Sequence, residues 1–112
     1  MPVCVGVGLV EDARVEAAAA ARGNGVLQRV FTPPEVAYCS SRPVPWPHYA
    51  ARLAARRAAL GAGLRPGTPA WASLLSLLSD MGDTRGVDAQ AGLSLSLSHD
   101  AGVALALLTY WG

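Results

Sequence analysis

The spacing of apolar positions changes rhythm several times along the chain, and each change marks an element. In residues 3–10, Val3, Val5, Val7 and Leu9 alternate with Cys4, Gly6 and Gly8. Valines interleaved with glycine predict a buried strand that another backbone approaches closely, in a central position of its sheet. Residues 11–22 turn to alanine, interrupted by Glu11, Asp12, Arg14 and Glu16. Acids in a first turn suit the helix dipole, and Gly23-Asn24-Gly25 stops the predicted helix. Residues 26–30 fit either a short helix or an extended segment. Thr32-Pro33-Pro34-Glu35 then combines a side-chain cap, prolines at the first helical positions and Glu at N3. That combination predicts a second helix start, with an end by Ser40-Ser41.

The prolines of Arg42-Pro43-Val44-Pro45-Trp46-Pro47 predict an irregular loop. Residues 48–60, rich in Ala, Arg and Leu, give the strongest predicted helix, and Gly61-Ala62-Gly63 terminates it. Beyond a linker at residues 65–69, leucines come in pairs at Leu74-Leu75 and Leu77-Leu78. Such pairing suits a buried helix and a two-sided strand equally. Leu93, Leu95 and Leu97 alternate with Ser94, Ser96 and Ser98. A tight turn at His99-Asp100-Ala101-Gly102 leads from that strand into a last one at residues 103–108. The elements add up to one α+β domain over residues 1–112, with helices packed on one face of a small antiparallel sheet.

Composition adds a partner to this picture. Hydrophobic residues make up 52% of the chain and charged ones 15%, more apolar surface than a monomer of 112 residues hides, so burial between subunits is expected. A net charge of +1 gives no field for steering nucleic acid, and no nucleic-acid partner is expected. Cys4 and Cys39 have neither the number nor the spacing of a disulfide framework or zinc site, which points to a reduced, cytoplasmic setting. No apolar run approaches the roughly 20 residues of a membrane span, so no membrane partner is expected.

Three segments carry a family likeness: Val5-Gly6-Val7-Gly8-Leu9-Val10-Glu11, Arg29-Val30-Phe31-Thr32-Pro33-Pro34-Glu35-Val36-Ala37-Tyr38-Cys39, and Leu95-Ser96-Leu97-Ser98-His99-Asp100. Joined by Ala50-Ala51-Arg52-Leu53-Ala54-Ala55, their order and spacing resemble those of the holo-acyl-carrier-protein synthase family. The resemblance implies the small 4'-phosphopantetheinyl-transferase-like fold and a homotrimer. It also implies transfer of the phosphopantetheine arm of coenzyme A to a serine of an acyl carrier protein, with magnesium held at the cleft between subunits. That family's first strand supplies an aspartate where this chain has Gly8. Its central helix reads Lys-Glu-Ala where this chain has Arg56-Arg57-Ala58, so Arg57 stands at the second carboxylate. A lysine four residues further on falls on Gly61. The stretch from Trp71 to Leu93 is short for the family's strand pair and helix. A strand and turn around Asp80-Met81-Gly82-Asp83 are expected there, with the helix lost or reduced.

Candidate chemistry follows from what is left. Glu11, Arg14, Glu35 and Tyr38 match family positions around the cleft. Arg57 either serves as a fixed cation or fills the emptied site by pairing with Glu11. His99 is a general acid or base with Asp100 beside it to tune it, or else a structural turn residue, since neighbours on a strand face opposite ways. Ser94, Ser96 and Ser98 share a face suited to solvent or subunit contact. Trp46, His48 and Tyr49 form an aromatic rim or a rigid connection. Arg52 and Arg56 join Arg57 as carrier-protein contacts if they face outward.

With the metal ligands gone, the expected function is a repurposed homotrimer of bacterial polyketide-type metabolism, needing no metal or other cofactor. It would bind a small apolar or carrier-linked intermediate between subunits and act, if at all, by metal-free cyclisation or dehydration. In that reading Glu11, Arg57 and His99 are catalytic, and Arg14, Tyr38, Trp46, Arg52, Arg56 and Asp100 bind substrate. The alternatives are phosphopantetheinyl transfer itself, or a non-catalytic scaffold that docks an acyl carrier protein.

Overall fold

The computed structural model describes residues 2–23, 25–80 and 85–111. The elements run β1 (Val3–Glu11), α1 (Asp12–Arg22), α2 (Gly25–Val30), α3 (Pro33–Ser40), α4 (Trp46–Gly61), α5 (Pro69–Asp80), β2 (Arg85–Asp88), β3 (Leu93–Asp100) and β4 (Val103–Trp111). The sheet is antiparallel throughout and ordered β1-β4-β3-β2, with α4 laid across β1 and β4.

Alternation along the strands decides which side chains meet α4. Val10, Leu93, Leu95, Leu97, Ala104, Ala106 and Leu108 point to the helix side and are buried. Val3, Val5, Val7 and Leu9 point the other way and are 56–61% exposed. Leu105 and Leu107 continue that outward apolar face beside them. The central strand expected over residues 3–10 is therefore an edge strand, covered on one face only. Its glycines do mark a close approach. A Cβ on Gly6 would fall 1.7 Å from the Ala58 carbonyl oxygen, and one on Gly8 1.9 Å from that of Ala54. Alanines at 50, 54, 55, 58 and 59, all buried, give α4 the matching flat surface.

Two helices differ from expectation. α4 starts inside the proline loop, because Pro47 falls in its first turn, where a missing N–H costs nothing. The helix expected to be lost or reduced before β2 is present as the 12-residue α5, which buries Leu74 and Leu78 one turn apart. Helical i, i+4 spacing thus resolves the paired leucines. Asp80 ends α5, and the rest of the expected turn, Met81, Gly82 and Asp83, lies outside the described residues. Residues 25–30, open to either reading, are helical, and α3 opens on the expected capping box of Thr32 and Glu35.

Candidate functional site

The predicted site residues divide into two groups on different parts of α4. The first is a buried polar cluster between α3 and α4. Arg56 donates through Nη1 to Glu35 Oε2 at 2.9 Å and through Nη2 to Oε1, a two-pronged pair with Glu35 1% and Arg56 8% exposed. Glu35 also accepts from the Thr32 backbone N–H at 3.0 Å and from its hydroxyl at 3.1 Å. Burial alone pushes the Glu35 carboxyl up, but the Arg56 bond and charge, with the Thr32 bonds, hold it below its ordinary value.

One turn earlier, Arg52 is 1% exposed, lies 4.7 Å from the Tyr38 ring centroid and donates to the His48 carbonyl oxygen. The condition for Arg52 and Arg56 as carrier-protein contacts, that they face outward, is not met: both guanidiniums turn into the α3–α4 interface, where a carboxylate and an aromatic ring meet them. Tyr38 belongs to this interface. Trp46 lines a recess of about 260 Å³ with Tyr49, Leu27 and Ser40, 6.1 Å from the Tyr49 ring centroid.

The second group gathers where β1 runs into α1. Arg14 of α1 and Arg57 of α4 rim a pocket of about 290 Å³ whose floor is Val10, Val15, Leu27 and Leu53. Arg57 does not pair with Glu11. Its Nη1 donates to the Leu9 carbonyl oxygen at 3.3 Å, while Glu11, at an odd position of β1, faces away from α4. A larger recess of about 420 Å³, lined by Gln28, Phe31, Pro33, Val36 and Ala37, has no ionisable group in its lining.

His99 lies at the same end of the sheet, on the helix side, in the row Val10-Ala104-His99 across β1, β4 and β3. Its Nε2 is 2.8 and 2.7 Å from the two carboxylate oxygens of Asp12. A carboxylate only accepts, so Nε2 carries the proton, and in the neutral ring Nδ1 is left as a base. Asp12, not the neighbouring Asp100, therefore orients the imidazole. Asp100 pairs with Val103 at the hairpin end, with its side chain on the opposite face. Asp12 carries one signal in the sequence, an acid at the first helical turn, but its partner is 87 residues away.

Magnesium does not fit the two inherited ligand positions. Gly8 offers no donor atom, and the Ala54 carbonyl and Ala58 amide occupy the space where a side chain would project. Arg57 brings a positive charge to the other position. Gly61, at the lysine position, ends α4 in an exposed setting. Among the described residues no group of three or more His, Cys, Asp and Glu side chains is placed to hold a metal ion, and no helix is long and apolar enough to cross a membrane.

Solved structures share this architecture of helices on a four-stranded antiparallel sheet. The Chronobacterium ammoniagenes ACPS-CoA complex matches over the full length of both chains with a TM-score of 0.65 and 25% identity. The holo-[acyl-carrier-protein] synthase of Neisseria meningitidis matches over 97% of this chain and 98% of its own with a TM-score of 0.68 and 22% identity. The fold is that of the small holo-acyl-carrier-protein synthases.

Sequence relatives agree. The holo-[acyl-carrier-protein] synthase of Geobacter sp. strain M21 is 38% identical over 92% of this chain and 93% of its own length. That of Anaeromyxobacter sp. strain K is 38% identical over 96% and 94%. No family model matches. The chain belongs to the holo-acyl-carrier-protein synthase family.

Proposed function

We propose that this protein acts on the substrates of its family, coenzyme A and an acyl carrier protein, and transfers phosphopantetheine between them without a carboxylate-held metal. The observation that carries the reading is 38% identity to a holo-[acyl-carrier-protein] synthase over 92% of the chain. It takes precedence over the metal-free cyclisation or dehydration expected from the missing ligands, which no relative supports. In the transfer, the carrier serine oxygen bonds to the phosphorus that bears the pantetheine arm. The bond from that phosphorus to the bridging oxygen breaks, and 3',5'-ADP leaves with it. His99, oriented by Asp12, takes the serine proton, while Arg14 and Arg57 face the phosphate charge.

Intact-mass spectrometry of an apo acyl carrier protein incubated with coenzyme A tests this directly. The expected result is a gain of one phosphopantetheine, slowed about a hundredfold in His99→Ala. No gain across several carrier proteins would sink the reading. Gly8 and Arg57 favour a second one, in which the protein docks a carrier protein without transfer. Binding of apo and holo carrier protein alike, with no mass change, would select it.

The open sheet face also bears on function. We propose that Val5, Val7, Leu9, Leu105 and Leu107 are covered by neighbouring copies in a homotrimer, because an apolar sheet face of this extent is rare on a soluble monomer. Sedimentation should give three times the chain mass for the native protein and a monomer for Val7→Glu/Leu107→Glu. A native monomer at micromolar concentration would refute the assembly.

A further inference from the structure

Building on the transferase reading, we propose that the Arg14–Arg57 pocket is a metal-independent site for an organic phosphate carrying an extended, largely apolar arm. Arginine there replaces a divalent cation. Charge arithmetic favours the exchange. Two carboxylates at positions 8 and 57 would contribute two negative charges, which a divalent cation must cancel before a phosphate can approach. Gly8 contributes none and Arg57 one positive charge, so the same two positions attract a phosphate without help and repel a free cation. Arg14 on the facing helix adds a second positive charge at the rim.

The guanidiniums are available for this. Among the described residues neither is paired with a carboxylate: Arg57 is fixed only by the Leu9 carbonyl oxygen, which aims it across the end of β1. The two acids at the junction of β1 and α1 are otherwise placed, Glu11 on the far face of the sheet and Asp12 against His99. A planar guanidinium matches two phosphate oxygens at once, a geometry a lysine would lack. Below the two arginines the pocket is lined by Val10, Val15, Leu27 and Leu53, and about 290 Å³ suits a flexible arm in place of a second charged group. Helix α4 seals the old ligand position by backbone contact at Gly8, so the pocket cannot take back a metal by a side-chain rotation.

Isothermal titration of the full chain with coenzyme A, once in EDTA and once in magnesium chloride, tests the proposal. The expected affinities agree within about twofold, and Arg57→Ala weakens binding at least about tenfold, since a hydrogen bond to a charged group contributes about 1.5–3 kcal/mol. Arg57→Lys, which keeps the charge but not the fork, falls between. 3',5'-ADP should bind and pantetheine, which has the arm without phosphate, should bind far more weakly. Arg57 is exposed, and an unchanged melting midpoint for each variant separates lost binding from lost fold.

Binding that appears only with magnesium, binding unaffected by Arg57→Ala, or no binding of coenzyme A in either buffer would overturn the proposal. The carrier-protein mass assay separates this from the transfer reading. Metal-free binding without mass gain leaves the pocket standing and the transfer refuted, whereas a mass gain in EDTA with coenzyme A binding that Arg57→Ala leaves unchanged does the reverse.

Discussion

Gly8→Ala is expected to destabilise the protein by at least about 3 kcal/mol, at the upper end of what overpacking a core costs. In melting temperature this is roughly 10 °C or more for a domain of this size. The new Cβ would stand 1.9 Å from the Ala54 carbonyl oxygen, 2.8 Å from its carbon and 2.9 Å from the Ala58 nitrogen. Those are backbone atoms in the middle of a 16-residue helix, so no rotamer change relieves the clash; α4 itself must lift from β1. Lifting it separates Ala54 and Ala58 from the strand and opens the core along Val10 and Ala106. Gly61→Ala is the control, because its Cβ would meet only the Gly6 Cα at 3.8 Å, an ordinary contact. It should change stability by no more than about 1 kcal/mol, the usual glycine-to-alanine range in a helix. Chemical denaturation of both variants decides the matter, and a loss under about 1 kcal/mol for Gly8→Ala would show that the helix is free to move.

The same contact has a functional corollary. Reinstating a carboxylate pair by Gly8→Asp with Arg57→Glu would not recreate a magnesium site on this backbone, because the aspartate has no room to project. On this backbone the close approach of α4 and the absence of a side chain at position 8 therefore go together. Small residues on both sides, Gly6 and Gly8 on β1 and Ala54 and Ala58 on α4, make that approach possible.

Features carried by local chemistry are legible in the amino-acid sequence. The capping box at Thr32 and Glu35, the glycine rhythm of β1 and the leucine–serine alternation of β3 each take the form that the residues predict. Features that depend on what lies across the fold are not legible in the same way. β1 reads as central because glycine and valine have the same pattern whether one or both faces are covered within the chain. The facing of Arg52 and Arg56 stays open in the sequence, although an arginine in an alanine-rich helix is ordinarily exposed. Their four-residue spacing puts them on one face, and a Glu35 already held by its own cap gives the only hint of an inward partner. Asp12 reads as a helix-dipole acid, although its carboxylate also orients His99 from the far end of the chain.

The buried Glu35–Arg56 pair makes the second large prediction, and its sign depends on pH. Arg56→Met removes the cation and leaves a carboxyl with 1% exposure held by its Thr32 bonds and no opposite charge, a change that typically costs about 3–5 kcal/mol near neutrality. In the native protein Glu35 has its pKa lowered from the ordinary 4.5, so the folded state binds the proton less readily than the unfolded one. That contribution is complete above the unfolded value and is lost as pH falls through the folded one. In Arg56→Met, burial, the largest single influence on this carboxyl, acts without its main opponent and raises the pKa instead. The folded variant then binds the proton more readily than the unfolded chain, and its stability rises as pH falls through the raised value toward the ordinary 4.5. The gap between the two proteins should accordingly be widest near neutrality and shrink steadily in acid. Glu35→Gln/Arg56→Met, which cannot titrate at this position, should show neither trend. Urea melts across an acid-to-neutral series read all three proteins together. A gap that stays constant with pH would mean that the carboxylate finds water or another partner when the arginine is gone.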